Sequence, residues 1–210
     1  MFEFLKKKRQ KASPVLQGVV APANETSSAM DLALVVPLVK VLETGDPTGS
    51  EVALSEDDSP IIRPLVVDLV VMYALDLPDR FQFISHRDLR NTGLTAEALH
   101  ELALRNLPSR LPKLEIHGEP PRCMAIAGGN FEATLLLHDP LWDQLAEVMP
   151  GDLMAVAPAR DLLFISGSGW PEAASFLGEV ASKDLPDKKY SLSRCVLIRR
   201  DGKWHPHALV

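Results

Sequence analysis

The sequence contains little of what defines several large classes of protein, beginning with cysteine. Its 210 residues include only two cysteines, Cys123 and Cys195, and these lack the close spacing that zinc and redox motifs require. Each falls in a predicted strand, so we expect two buried thiols, with a disulfide only if the two strands adjoin. A disulfide-rich scaffold or a zinc site built from cysteines is therefore excluded.

Long hydrophobic runs are also missing. The most apolar stretch, 65–77, is interrupted by Asp68 and Asp76 and is shorter than the roughly 20 residues that a transmembrane helix needs. The apolar residues at 2–5 are too few to form the hydrophobic region of a secretory signal. We therefore expect no stable membrane insertion and a cytoplasmic location.

Positive charge is in deficit. The chain has 22 Lys and Arg against 28 Asp and Glu, a net charge of -6, whereas a surface that follows nucleic-acid phosphates needs clustered bases. No nucleic-acid partner is therefore expected. Basic residues cluster at 6–11, and an acidic window without any base covers 43–58; both are typical of solvated, mobile segments. We predict a flexible tail over 1–29, basic and then polar, followed by a single domain over 30–210.

Sequence motifs for nucleotide binding and nucleophilic catalysis are absent as well. The chain has no P-loop lysine, no complete dinucleotide-binding glycine loop and no serine in a nucleophile elbow. Gly167-Ser168-Gly169 lies between a predicted strand and a predicted helix, where free backbone amides can hold an anion. The alternative is a tight connection without a ligand.

A strong β-hairpin pattern is present at 151–167. Two apolar runs, 153–157 and 162–165, are separated by Pro158-Ala159-Arg160-Asp161, a composition typical of a turn between buried strands. The turn places Arg160 beside Asp161, and such a pair can bind a ligand. The alternative is an ordinary turn in which Asp161 accepts bonds from backbone amides and Arg160 faces solvent.

Hydrophobic periodicity predicts the remaining elements. Strands are expected at 32–42, 65–77, 80–85, 114–117, 123–127, 132–137, 195–199 and 203–207. Helices are expected at 95–107, 141–149 and 171–182. Pro37 restricts the first strand to an edge or a bulge. Because most connections are hairpins, we predict an α+β fold, a mainly antiparallel sheet with about three helices packed against it.

Acidic side chains supply the candidates for catalysis. The carboxylates considered are Asp68, Asp76, Asp88, Glu132 and Asp161. Pairs of carboxylates can hold Mg²⁺ or divide acid and base roles, provided that they meet in space. We single out Asp76, Glu132 and Asp161 as catalytic candidates, and we assign no metal ligand and no cofactor.

Several short blocks occur in a recognisable order along the chain. They are Tyr73-Ala74-Leu75-Asp76, a helix ending at Asn106-Leu107, Gly129-Asn130-Phe131-Glu132-Ala133, Gly151-Asp152-Leu153, and Ala157-Pro158 with Asp161. Their order over about 33–207 resembles the YtpQ-like family of bacterial proteins, a domain of unknown function. The resemblance implies recurring positions at Asp76, Asn106, Asn130, Glu132, Pro158 and Asp161, but no activity, cofactor or partner. Members of this family usually begin with a longer helical region than the short tail of this chain.

Two functions are consistent with these patterns. The first is a non-enzymatic cytoplasmic binding or interaction module for an unknown protein or a small anionic ligand. Its candidate binding residues are Asn130, Arg160, Gly167 and Gly169. The alternative is a small metal-assisted hydrolase acting on a phosphate-containing substrate, with the three candidate carboxylates holding metal or water and Arg160 holding the substrate anion. The sequence leaves the oligomeric state open.

Overall fold

A computed structural model describes residues 30–42, 55–184 and 190–208 of the chain. The predicted tail and most of the acidic window lie outside these described residues. Within them the strands are β1 Val35–Val41, β2 Ile62–Val66, β3 Leu69–Asp76, β4 Phe81–Phe83, β5 Glu115–Glu119, β6 Arg122–Ile126, β7 Leu153–Ala159, β8 Leu162–Gly167, β9 Val196–Arg200 and β10 Lys203–Ala208. The α-helices are α1 His86–Thr92, α2 Ala96–Asn106, α3 Asp139–Ala146 and α4 Ala173–Asp184. The predicted α+β class is confirmed, with two antiparallel sheets instead of one.

The first sheet is built around β3. Its strand order is β1-β3-β2, and β4 pairs with the far end of β3. Strand β1 lies at the edge, as its proline predicts. The prediction of one long strand over 65–77 is wrong, because a turn at Val67 and Asp68 divides this segment into β2 and β3. The Asp68 carboxylate accepts a 2.6 Å hydrogen bond from the Ser193 hydroxyl, so a contact with a distant segment holds the break in place.

The second sheet has the predicted hairpin at its centre. Its strand order is β10-β9-β7-β8-β6-β5, so β7 and β8 are the two innermost strands. Every residue of β7 is buried, which accounts for its nearly continuous apolar sequence. The predicted C-terminal hairpin is confirmed as β9 and β10. Cys123 and Cys195 are free, buried thiols, and burial raises the pKa of both.

Helices α2 and α4 cover the outer faces of the two sheets. The main core lies between the inner faces of the sheets. Leu99 and Ala103 of α2 pack on the first sheet, and Leu177 of α4 packs on the second. Trp142 of α3 is completely buried in the core between the sheets. No helix within the described residues has the length and apolarity to cross a membrane. The predicted second and third helices correspond to α3 and α4, and the first to α2.

Two local predictions were wrong. Helix α1 was not predicted, although Ser85 and Asp88 form a reciprocal capping box at its start and Gly93, with φ of +73°, ends it. The strand expected over 132–137 is instead a short 3₁₀ helix, Ala133–Leu137. This 3₁₀ helix is buried between the two sheets and contacts both of them. It therefore determines which residues of the two sheets meet.

Candidate functional site

Glu132 is a buried carboxylate that organises the loop before it. Its side chain is 2% exposed. Oε1 accepts hydrogen bonds from the amides of Ala127 at 2.8 Å and Gly129 at 2.7 Å, and Oε2 accepts one from Phe131 at 3.1 Å. Both oxygens are therefore occupied by backbone donors, which is how a buried carboxylate is compensated. The geometry gives this catalytic candidate a structural role.

The other two candidate carboxylates, Asp76 and Asp161, have different surroundings. Asp76 at the end of β3 forms an ion pair with Arg110, at 3.5 Å between Oδ2 and Nε. Arg110 also donates to the carbonyl of Ala33 at 3.1 Å, so this pair fastens the segment before β1. Asp161 is exposed in the β7–β8 turn. Among the described residues no three His, Cys, Asp or Glu side chains are grouped so that they could hold a metal ion. The three candidates thus do not assemble one metal site.

The glycine loop after β8 is packed closely against Pro150. The amide of Gly169 donates to the Pro150 carbonyl at 2.8 Å, and the amide of Ser168 donates to the Asp152 carbonyl at 2.8 Å. A Cβ atom at Gly167 would collide with the Pro150 carbonyl oxygen, so only glycine fits there. This packing is that of a tight connection, and the binding of an anion by Gly167 and Gly169 stays a prediction. Asn130 is exposed, and its role in binding stays a prediction.

Asn106, one of the positions that the family resemblance indicated, has a clear structural role. Its Nδ2 donates to the carbonyls of Leu32 and Val35, both at 2.9 Å. These bonds fasten the entry into β1 to the end of α2. The residue therefore stabilises the first sheet.

Arg160 neither pairs with Asp161 nor faces solvent freely. Its guanidinium Cζ lies 3.8 Å from the centre of the Tyr190 ring. Its backbone N–H donates to the Tyr190 carbonyl at 3.0 Å, and its carbonyl accepts from the amide of Ala133 at 3.0 Å. Its Nε is buried without a hydrogen-bond partner. The backbone of Arg160 is thus held from both sides, while its guanidinium forms no ion pair with a carboxylate of the described residues.

Lys40 of β1 brings a second cation to the same place. Its Nζ lies 5.6 Å from the centre of the Phe83 ring. Burial lowers the pKa of Lys40, and the positive charge of Arg160 lowers it further, whereas Tyr190 acts in the opposite direction. The neighbouring amide, that of Val39, donates to the Thr134 hydroxyl at 3.2 Å. In the 3₁₀ helix, Ala133 bonds to Arg160 and the next residue, Thr134, bonds to β1. The 3₁₀ helix therefore brings the two cations together.

These four residues, Lys40, Phe83, Arg160 and Tyr190, are called the cationic-aromatic surface below. Neither cation forms an ion pair with a carboxylate of the described residues, and both aromatic rings are 39% exposed. Two neighbouring positive charges disfavour each other, and an anion placed between them stabilises both. Sequence reasoning missed three of the four residues. One signal was available, since Lys40 is the sole charged residue in an otherwise apolar strand.

The fold defines an α+β protein of two antiparallel sheets. Its sequence is similar to those of uncharacterised bacterial proteins. These relatives are named UPF0354 protein. One from Listeria monocytogenes serotype 4b is 23% identical over 195 residues, which cover 91% of this chain and 71% of the relative. One from Bacillus cereus strain AH820 is 23% identical over 201 residues, which cover 91% and 68%. The predicted resemblance to an uncharacterised bacterial family is therefore confirmed, and the names of the relatives carry no activity.

Two further comparisons gave no match. No family model matches the chain, and no solved structure matches it. Function must therefore be argued from the site itself.

Proposed function

We propose that this protein is a non-enzymatic cytoplasmic binding module that holds an acidic segment of a partner protein on the cationic-aromatic surface. One observation carries the proposal. The Arg160 guanidinium stacks 3.8 Å from the centre of the Tyr190 ring, its charge lowers the pKa of Lys40, and neither cation forms an ion pair with a described carboxylate. A carboxylate from a partner would remove this repulsion and supply charge-assisted hydrogen bonds.

The surrounding aromatic rings support a protein partner. Phe83 and Tyr190 lie open at the surface, and exposed aromatic residues together with arginine are enriched at protein interfaces. An open surface also suits one side chain of a larger partner better than a free anion, which needs enclosure on several sides.

The position of Arg160 is set before any partner binds. Its backbone is bonded to Tyr190 on one side and to Ala133 on the other, and its guanidinium is stacked on a ring. Little conformational entropy remains to be lost at this residue when an anion arrives, so the site is preorganised. The metal-assisted hydrolase has less support, because the described residues contain no group of three metal-ligating side chains and both oxygens of Glu132 accept bonds from backbone amides.

Binding of a short fluorescein-labelled oligoglutamate peptide, followed by fluorescence anisotropy, tests the proposal. We expect this peptide to bind, an oligoglutamine of the same length to bind much more weakly, and binding to weaken as salt is added. Lys40→Met and Arg160→Met should each weaken binding about tenfold, which corresponds to about 1.4 kcal/mol. Lys113→Met is the matched control, because Lys113 is an exposed lysine outside the surface.

Three results would contradict the proposal. Equal binding of the two peptides would remove the role of charge. Unchanged binding in both Lys40→Met and Arg160→Met would place the peptide elsewhere. Competition by inorganic phosphate at a concentration similar to that of the peptide would replace the acidic segment by a small anion.

A further inference from the structure

A second concave region, called the His100 cleft below, lies between α2 and the β9–β10 hairpin. Its volume is about 290 Å³, at the lower end of the range of about 300–1,000 Å³ that is usual for ligand sites. Leu104, Leu136 and Trp204 contribute apolar wall, and His100 and Lys203 contribute polar groups. Apolar and polar groups thus contribute comparable shares of the wall, and small-molecule sites combine apolar wall with a few placed polar groups.

The hydrogen bonds of His100 determine what it can offer a ligand. Its Nδ1 lies 3.0 Å from the hydroxyl oxygen of Tyr73, and Tyr73 is 1% exposed. Burial raises the pKa of Tyr73 to about 12, so the phenol keeps its proton, and a buried phenol needs an acceptor for that proton. Nδ1 of His100 is the acceptor that the described residues offer at hydrogen-bond distance, and Tyr73 is taken as the donor. The proton of the neutral imidazole is then on Nε2, which is left as a hydrogen-bond donor for a ligand in the cleft.

The charges around the cleft favour an anion. Lys203 is exposed and forms no ion pair with a described carboxylate. Asp139 also lines the cleft, but its Oδ1 accepts a 2.7 Å hydrogen bond from Nη2 of Arg199. Nη1 of Arg199 also lies 3.7 Å from Oδ1 of Asp143, so the charge of Asp139 is compensated in part, whereas Lys203 has no carboxylate partner among the described residues. His205 is a further polar group on the same wall.

We infer that the His100 cleft binds a small amphipathic carboxylate, whose carboxylate accepts a hydrogen bond from Nε2 of His100 and pairs with Lys203. Its apolar part lies against Trp204 and the leucines of the wall. A donor, a cation without a described carboxylate partner and an apolar wall together select this class of ligand over an amine, which would meet Lys203 with like charge, and over a neutral alcohol, which would lack the ion pair. The site shares no residue with the cationic-aromatic surface and does not rest on the proposed function.

Calorimetric titration of the full chain with octanoate tests the inference, with octanol and octylamine as matched probes. We expect octanoate to bind and to raise the melting temperature, since a ligand of the native state stabilises it. Octanol should bind at least about tenfold more weakly and octylamine should not bind. Lys203→Met should weaken octanoate binding about tenfold and leave octanol binding unchanged, and Lys113→Met should change neither.

The tautomer of His100 gives a second, independent measurement. A long-range proton–nitrogen spectrum should place the imidazole proton on Nε2 and should show that resonance shifting when octanoate is added. His100→Phe keeps an aromatic ring without a donor and should weaken octanoate binding about tenfold. A proton on Nδ1, equal binding of octanoate and octanol, or unchanged octanoate binding in Lys203→Met would each overturn the inference. Because the spectrum and Lys203→Met leave the Tyr73–His100 bond intact, they decide the matter even if His100→Phe fails to fold.

Discussion

Replacing Glu132 by Gln tests whether this carboxylate is structural or catalytic. The two roles predict opposite effects on stability. A carboxylate that satisfies buried amides stabilises the fold, so its removal is destabilising. A catalytic carboxylate held in an unfavourable site is commonly neutral or costly to stability, so its removal leaves the fold unchanged or stabilises it.

The geometry of Glu132 sets the magnitude. Hydrogen bonds to charged groups are worth about 1.5–3 kcal/mol each, against about 0.5–1.5 kcal/mol for neutral ones. A glutamine oxygen can keep the two bonds from Ala127 and Gly129 at the weaker neutral strength. Its amino group then faces the N–H of Phe131, where no bond forms. Because burial of a neutral amide costs less than burial of a charge, part of the loss is offset, and we expect a net destabilisation of about 2 kcal/mol.

Urea and thermal denaturation measure this change. For a domain of this size 1 kcal/mol corresponds to about 2–4 °C, so Glu132→Gln should lower the melting temperature by roughly 4–8 °C. Glu147→Gln is the matched control, because Glu147 is exposed beyond the end of α3, and it should change stability by less than about 0.5 kcal/mol. A Glu132→Gln protein as stable as the wild type, or more stable, would refute the structural role of Glu132 and would favour the catalytic role.

Three further predictions concern strain and protonation. Val67→Gly should stabilise the protein by about 1 kcal/mol in urea denaturation. Val67 has φ of +55°, and this backbone conformation costs a residue with a Cβ roughly 1–2 kcal/mol. Because Val67 is 56% exposed, removal of its side chain loses little packing. Burial lowers the pKa of His100, so below about pH 6.5 the unfolded chain binds more protons than the folded one. The free energy of unfolding should therefore fall as the pH drops through that range, by no more than about 1.4 kcal/mol per pH unit for this residue, and His100→Gln should flatten the profile. In Tyr190→Phe, which leaves one tyrosine of two, spectrophotometric titration should show Tyr73 ionising at about pH 12.

Each of these predictions has a result that would contradict it. A destabilised Val67→Gly protein would mean that the exposed valine contributes packing that outweighs its strain. An identical pH profile in His100→Gln would assign the acid sensitivity to other groups, of which His138 is one, since burial lowers its pKa as well. Ionisation of Tyr73 near pH 10, the ordinary value, would mean that the phenol is not shielded from water.

The hairpin of β7 and β8 was predictable because its information is local. Two apolar runs around Arg160 and Asp161 already indicate where the chain reverses, although Pro158 and Ala159, which were predicted in the turn, belong to β7. The C-terminal hairpin and helices α2 to α4 were predictable for the same reason, since each has its own periodicity and its own end signals. Helix α1 also carried a local signal, Ser85 followed by Asp88 three residues later. That capping box was overlooked in the sequence and could have been read from it.

Other features depended on residues far apart in the chain. The apolar run at 65–77 reads as one strand, but Asp68 bonds to Ser193, 125 residues away, and the chain turns there. The segment 132–137 was predicted as a strand, but the Glu132 carboxylate accepts bonds from three preceding amides and the chain continues as a 3₁₀ helix. In both cases a buried polar contact outweighs a local β preference, because an unsatisfied buried group costs more than propensity contributes.

The sequence by itself determined the class of fold, the buried hairpin at the centre of the second sheet and the resemblance to an uncharacterised bacterial family. The sequence also indicated Arg160 as a binding candidate, but it paired this residue with Asp161 and not with Tyr190. Only the tertiary structure decided that Arg160 lies against Tyr190 and beside Lys40, 120 positions earlier in the chain. The reason is physical: the 3₁₀ helix bonds to β1 and to the β7–β8 turn through adjacent residues. A contact between two sheets joins residues far apart in the chain. The hydrophobic periodicity of either segment therefore does not indicate it.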